Sequence, residues 1–571
     1  MPDRPRSPLL PSKPVLALFT ALLLLPYLAI LCVDAPLVDP DEGLHAAIAQ
    51  EMVDHHDWVT PRFLGTPFFD KPILYFWALC GSLKLLGSTE FAIRLPGLCF
   101  GLLGILATGL VGARWFTRRT GWLAAAAQSL FFLPWTASQV AVHDIALVPW
   151  TLLGVFSLWN IDESALTGTL RRRWSIIAGI ALGLAVLTKG LLGVVFILLA
   201  WIPAVWWTAR RPLLRIPQAL ILPALIACIV AAPWYVAMEL HNPGYSYYYF
   251  YQRHLMGFLS NSQPHGLKSA WYYLPVLAAG SLPWWPYLLT PALFTPLFKN
   301  SNATSQDHVR ILLLFWGGLG LLFLSAAKSK LPSYLLPLFP ALSLLVGDLW
   351  GRFANRELPL HAERIFRMSG MILLTLLPIT FFLIPLAFAR MTHTPVTPLL
   401  MLVTLTLTLL SSLAPIFFLR DRRWPAFLFG SGSLALMGTA MVLFFLPVLS
   451  HTHSGRSLAA HWNATATSIP RTIFLRERIG SVVFYLRPEL RSTLHSDSFE
   501  TWTIGQFISR FHAQENRSIV IPEREVPLIL RYVEFTHAPY EKHDRYRLYG
   551  SSAFVPLHVR HVPPQTFPLA N

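Results

Sequence analysis

The sequence predicts a polytopic α-helical membrane protein, and three observations carry that prediction. The first is composition. Of 571 residues, 54% are hydrophobic and only 13% charged, where an ordinary soluble domain carries roughly 25% charged residues. Mean hydropathy is +0.51, and 20 Trp and 38 Phe add to an apolar surface larger than one water-exposed shell can cover. The second is a series of apolar runs of membrane-crossing length. The third is the placement of basic residues in alternate links between those runs, as in membrane proteins of fixed orientation.

A transmembrane helix needs about 20 mostly apolar residues. Thirteen runs qualify: 15–33, 91–113, 121–140, 145–160, 174–188, 191–207, 217–236, 271–296, 310–326, 332–350, 368–388, 397–419 and 424–449. The first is long for a cleaved leader and lacks a clear small-residue cleavage site, so it is read as a span. Arg114, Arg118 and Arg119 follow the second run, Arg171 to Arg173 the fourth, and Arg210, Arg211 and Arg215 the sixth. Arg352, Arg356, Arg364 and Arg367 surround the link after the tenth, and Arg420, Arg422 and Arg423 follow the twelfth. With the N-terminus in the cytoplasm, each of these links is cytoplasmic, and an odd number of spans puts the C-terminal segment outside, in the periplasm of a Gram-negative inner membrane.

Residues 1–450 form the predicted membrane domain, with two long outer loops, 34–90 and 237–270. Within the first loop, Pro72–Leu86 is too short to span and reads as an interfacial helix. Residues 451–571 change character. Short alternating runs such as Ser481–Tyr485 and Ser518–Ile521, bounded by Pro, Asn and Asp, predict a small mixed α/β domain. The net charge of +16 is spread over the links and gathers in no patch, so nucleic acid is not an expected partner. Cys32, Cys80, Cys99 and Cys228 all lie in or beside apolar runs. The C-terminal segment therefore has neither a disulfide framework nor a Cys-type zinc site.

In this topology Asp41, Glu42, Asp70, Lys71, His143, Asp144, Lys189, Arg253, His254, Lys328 and Lys330 collect on the outer side. Charged groups are costly at a membrane face, and a cluster on one side points to function. Cations there suit a lipid phosphate, and carboxylates suit a base or a metal.

Asp41–Met52 reads DEGLHAAIAQEM, Asp57–Trp77 reads DWVTPRFLGTPFFDKPILYFW, Leu187–Gly190 reads LTKG, and Ser329–Leu345 reads SKLPSYLLPLFPALSLL. In this order and spacing they resemble the bacterial polyprenyl-phosphate-dependent glycosyltransferases of the GT-C class. The resemblance is to the aminoarabinose transferase family of lipid A modification, which is related to the protein O-mannosyltransferases. It implies a GT-C fold of about thirteen transmembrane helices with a small C-terminal domain outside. It implies an inverting transfer of a sugar from a polyprenyl-phosphate donor to an envelope glycolipid, glycan or protein acceptor. A nucleotide cofactor is not expected, and no Gly-rich phosphate loop appears.

The resemblance also implies roles. Asp41 matches the catalytic carboxylate, with Glu42 beside it and Asp144 as a second acid. Either Asp41 or Asp144 would otherwise serve as a helix cap. Lys71, Lys189, Arg253 and Lys330 match cations for the donor phosphate, although a lysine like Lys189 can also simply snorkel. Tyr334 and His143 fall at the sugar site. Asp70 and His254 match a pair that holds one divalent ion (zinc, magnesium or manganese). The chain departs from the family pattern at Leu44 and His45, where Arg and Tyr are common, at Asp70, where Glu is usual, and at Ile73, which replaces a second proline. Around His254 the usual acid before and Arg three after are Arg253 and Gly257. A transporter or flippase is the competing class, but its charges are expected at the midplane.

Overall fold

The computed structural model describes residues 12–162, 167–256, 268–298, 303–392, 395–477, 480–510, 517–530, 533–535, 541–543, 546–550 and 554–556. Gly257 lies outside the described residues. The chain divides into two compact units. One comprises Met1–Val33, Pro96–Val236 and Ser269–Phe445; the other comprises Asp34–Leu95, Ala237–Lys268 and Leu446–Asn571.

The first unit is helical. Among the described residues, nine helices of the chain are long and apolar enough to cross a membrane. The other four predicted runs take different forms. Run 121–140 becomes the helices Arg118–Leu130 and Phe132–Ser138, broken where Phe131 turns extended. Run 174–188 lies in the Gly168–Lys189 helix, which carries Arg171 to Arg173 at its head. Run 191–207 is the 17-residue helix Leu191–Trp207. Run 271–296 is a chain of short helical turns between Ala270 and Phe298. Its five prolines (275, 283, 286, 291 and 296) explain this, since each removes a backbone donor and crowds the preceding turn. Hydropathy detects the run but not its breaks.

Burial separates the helices by role. The spans Asp144–Ile161 and Pro332–Ala354 are 83% and 94% buried within the protein, whereas Ile216–His241 and Leu360–Arg390 are only 22% buried. The latter expose Ile221, Leu225, Ile229, Ile372, Leu376 and Leu383, the surface that faces lipid tails. Trp201, Trp316, Leu147, Phe339 and Leu345 fill the core.

The second unit is mixed. It holds the helix Asp41–Asp54, the hairpin β1 (Arg62–Phe63) and β2 (Thr66–Pro67), and the helix Leu74–Leu86. A π-helical turn, Tyr247–Met256, and the helix Arg456–Thr465 follow. Then come β3 (Thr472–Leu475), β4 (Phe499–Trp502), β5 (Ser518–Pro522), β6 (Val533–Phe535), β7 (Glu541–His543), β8 (Tyr546–Gly550) and β9 (Phe554–Pro556). Five strands form one sheet in the order β4-β3-β5-β8-β7. β3 runs parallel to β4 and β5, while β8 runs antiparallel to β5 and β7. Side chains alternate across it, with Ile473, Ile519 and Tyr549 in one cluster and Phe474, Val520 and Leu548 in the other, against Leu458, Trp462 and Val482.

The mixed α/β character matches the prediction, and Ser518–Pro522 is a strand. Gly480–Tyr485 is a helix, not a strand. Five of its six residues are buried, and a short run buried all round carries no period by which strand and helix can be told apart. Its backbone crosses the Asp41–Asp54 helix where both chains are glycine. A Cβ on Gly43 would lie 2.4 Å from the Ser481 nitrogen, and one on Gly480 would lie 2.4 Å from the Leu44 nitrogen. No side chain fits at either position.

Candidate functional site

Asp41 is the first residue of its helix; the cap position belongs to Pro40, without a side-chain bond. The capping role weighed for Asp41 is therefore not the one observed. Asp41 is exposed. Nine acidic residues lie between 34 and 90, and eight of them are engaged. Asp34 pairs with Arg456, Asp39 accepts from Ser481, and Glu42 pairs with Arg94. Glu51 accepts from Leu64 and Gly65, and Asp54 pairs with Arg491. Asp57 accepts from Val59 and Thr60, Asp70 from Tyr248, and Glu90 from Tyr485. Asp41 alone has no hydrogen-bond or ion-pair partner among the described residues.

The surroundings of Asp41 are tightly held. Glu42 is buried and takes two bonds from Arg94, at 2.8 and 2.9 Å, and one from the Val38 backbone at 2.8 Å. Arg94 also donates to the Pro36 carbonyl at 2.9 Å. Glu42 thus anchors the 35–38 segment. Asp39 is buried and accepts from the Ser481 backbone at 3.0 Å and from the Ser481 hydroxyl. The backbone N–H of Asp39 donates to the His453 carbonyl at 2.9 Å, and that of Leu37 to the Tyr485 hydroxyl at 2.8 Å. Sequence reading did not single out Arg94 or Asp39. The available signal was an arginine inside the apolar run 91–113, which burial obliges to find a carboxylate.

Lys71 follows the hairpin whose tip, Leu64–Gly65, has both φ angles positive. Glu51 fixes that tip through two backbone bonds of 2.8 Å. Asp70 does not pair with Lys71. Tyr248 donates to it at 3.0 Å and Arg253 stands 3.5 Å away. Burial, and the Asp70 charge with it, raise the Tyr248 phenol above its ordinary value and keep it a donor. Of the basic side chains between 34 and 95, Arg62, Lys84 and Arg94 are engaged, and Lys71 has no such partner among the described residues. Phe69 packs on Tyr245 and Tyr248, with centroids at 5.3 and 5.8 Å, locking the loop to the tyrosine-rich turn. Nδ1 of His254 lies 2.7 Å from the Tyr249 carbonyl. A carbonyl only accepts, so Nδ1 carries the proton and Nε2 keeps its lone pair when the ring is neutral.

The implied metal pair, Asp70 and His254, is not extended to a ligand set. No group of three His, Cys, Asp or Glu side chains placed to hold a metal ion occurs among the described residues. Asp70 faces the Arg253 guanidinium and the Tyr248 phenol.

The helical unit brings three predicted residues together. Asp144 begins the helix Asp144–Ile161, and its carboxylate pairs with Lys189 instead of capping that helix; both side chains are 9% exposed. The Lys189 ammonium lies 3.9 Å over the Tyr334 ring. Lys189 does not snorkel. It closes the Gly168–Lys189 helix, and Gly190, with φ 65°, turns the chain where a side chain would be strained. His143 is buried immediately before Asp144. Lys330 donates to the Ala327 carbonyl, and desolvation lowers its ammonium below the usual lysine value. Pro332 starts the 3-10 turn that carries Tyr334, and Tyr273 donates to the Leu331 carbonyl at 3.1 Å.

This fold, with its buried Asp144–Lys189 ion pair, is that of a multi-pass membrane protein of the GT-C type. Its particular likeness is to aminoarabinose transferases. Over 94% of this chain and 98% of the other, it superposes on the crystal structure of ArnT from Cupriavidus metallidurans bound to undecaprenyl phosphate, with a TM-score of 0.72 and 21% identity. Residues 13–249 match the family described as dolichyl-phosphate-mannose-protein mannosyltransferase. The undecaprenyl phosphate-α-4-amino-4-deoxy-L-arabinose arabinosyl transferase of Aeromonas salmonicida is 33% identical over 340 residues, 59% of each chain. Its namesake from Pectobacterium carotovorum is 31% identical over 365 residues, 63% of this chain and 62% of its own. The chain thus spans less than two thirds of these relatives.

Proposed function

We propose that the protein is an inverting glycosyltransferase of the bacterial inner membrane. It moves a sugar from a polyprenyl-phosphate donor to an envelope glycolipid at the outer face. The N-terminus is cytoplasmic and the C-terminal segment periplasmic. The observation that carries this reading is the pair of charges left over: among the described residues, Asp41 is the one carboxylate and Lys71 the one lysine or arginine of segment 34–95 without a hydrogen-bond, ion-pair or ring partner, and both fall in the motifs of the resemblance. One free carboxylate and one free ammonium are what a base and a phosphate binder require.

In this reading an acceptor oxygen attacks the anomeric carbon, and Asp41 takes its proton. The bond from that carbon to the phosphate oxygen breaks, and polyprenyl phosphate leaves with the electron pair. Lys71 stabilises the charge that grows on it. Within the helical unit, Lys189 and Lys330 are the cations suited to a lipid phosphate. Asp144 orients Lys189, and Glu42 positions the segment before Asp41. The carrier lipid, not a nucleotide, is the leaving group.

The test is release of polyprenyl phosphate by the purified protein, coupled to a gain of one sugar mass on envelope lipids from cells that carry it. Equal turnover of a nucleotide sugar without lipid carrier would overturn the proposal.

A further inference from the structure

The second unit contains a cleft of about 540 Å³ beside Asp70. Its walls carry six aromatic side chains: Phe63, Phe68, Phe69, Tyr248, Phe474 and Phe499. Its polar groups are the Asp70 carboxylate and the hydroxyls of Thr66, Tyr248, Ser496 and Thr501, of which that of Tyr248 donates to Asp70. Neither Lys, Arg nor His lines it among the described residues.

The volume falls within the range of small-molecule sites, roughly 300–1,000 Å³, which are typically aromatic with a few directed polar groups. The charge decides between occupants. A phosphate headgroup would meet the Asp70 carboxylate, whose ion-pair partner Arg253, 3.5 Å away, lies outside the lining, so the cleft wall itself offers an anion no cation. A sugar ring has the opposite demands. Its C–H face packs on aromatic surface, and its hydroxyl or ammonium hydrogens donate to a carboxylate, the stronger class of hydrogen bond. The cleft is built jointly by the 62–70 hairpin segment, the tyrosine-rich turn and the strands β3 and β4. Asp70 lines it, and Lys71, the proposed donor-phosphate binder, is the next residue.

We propose that this cleft is the acceptor subsite and binds a hydroxyl- or amino-bearing sugar ring of a glycan acceptor, with Phe499 as the stacking surface and Asp70 as the hydrogen-bond acceptor. The proposal rests on the glycosyltransferase reading above. It gives strands of the C-terminal segment a part in choosing the acceptor.

The experiment compares the full-length wild type with Phe499→Ala and with Ser496→Trp, which fills the cleft from an exposed position and leaves the packed face of the sheet intact. Both variants are expected to raise the acceptor KM at least tenfold. The donor KM and the slow transfer of the sugar to water should stay at wild-type values. Binding of a soluble, lipid-free amino-sugar disaccharide, measured by calorimetry, should weaken by the same factor in Ser496→Trp. An unchanged acceptor KM and unchanged disaccharide affinity in Ser496→Trp would overturn the subsite. So would a Ser/Thr peptide competing for the cleft where the disaccharide does not. If wild type releases no polyprenyl phosphate from its donor, the catalytic reading fails, and the disaccharide measurement still decides the cleft.

Discussion

Asp41→Asn keeps the side chain's size and removes its basicity. With a hydroxyl acceptor, turnover should fall roughly 10²- to 10⁴-fold, the usual contribution of a general base, at normal protein abundance. Near-wild-type turnover would leave Asp41 a helix-start residue only. Lys71→Ala should lower kcat/KM about 10- to 150-fold, the effect of losing a charge-assisted bond of roughly 1.5–3 kcal/mol, with no loss of thermal stability because Lys71 has no ion pair to break. Lys189 behaves differently. Its buried pair with Asp144 makes Lys189→Met costly to folding, by about 3–5 kcal/mol, since a buried carboxylate is left alone. The double variant Asp144→Leu/Lys189→Met should recover the melting temperature without recovering activity. Recovery of both would reduce the pair to structure. The motifs made Asp41, Lys71 and Lys189 legible in the sequence. They did not show that Asp70 turns to Arg253 and Tyr248 and away from its neighbour Lys71, because that choice depends on a π-helical turn about 180 residues further along the chain.

The Asp41–Asp54 helix is buried almost all round, including Glu42, His45 and Gln50. Its glycine at position 43 carried the missing information, since the Gly480–Tyr485 helix can approach only where both backbones lack a Cβ. Gly43→Ala should therefore separate the two helices, lower the melting temperature and abolish transfer together. Ser481→Ala is the milder probe. It removes the hydroxyl bond to Asp39 and keeps the backbone one, so kcat should fall several-fold while the donor KM holds, and Ser481→Thr should restore it. Equal kcat in Ser481→Ala would mean that Asp39 does not help to place Asp41. Glycine spacing is legible in sequence; the partner glycine 437 positions away is not, because contacts at such separation leave no local period.

At the scale of the whole molecule, hydropathy made the membrane class and most of its helices legible, while proline placement decided which runs stay continuous. In the proposed orientation the arginine-rich links face the cytoplasm. Reporter tags at residues 117, 172 and 212 should label from the cytoplasm, and a tag after Asn571 from the outside; a cytoplasmic C-terminus would reverse the proposed orientation of the final segment. The second unit is assembled from three stretches, Asp34–Leu95, Ala237–Lys268 and Leu446–Asn571, and this has a consequence for biogenesis. At a translation rate of about 5–20 residues per second, the ribosome needs roughly 20 to 90 seconds after making Gly43 before Gly480 exists to cover it. During that interval the first stretch, exported in the proposed orientation, displays the apolar face of its helix. In the proposed orientation the nascent protein calls for shielding by periplasmic chaperones or by the translocation machinery, and the proposed activity can appear only once the last fifth of the chain has been delivered.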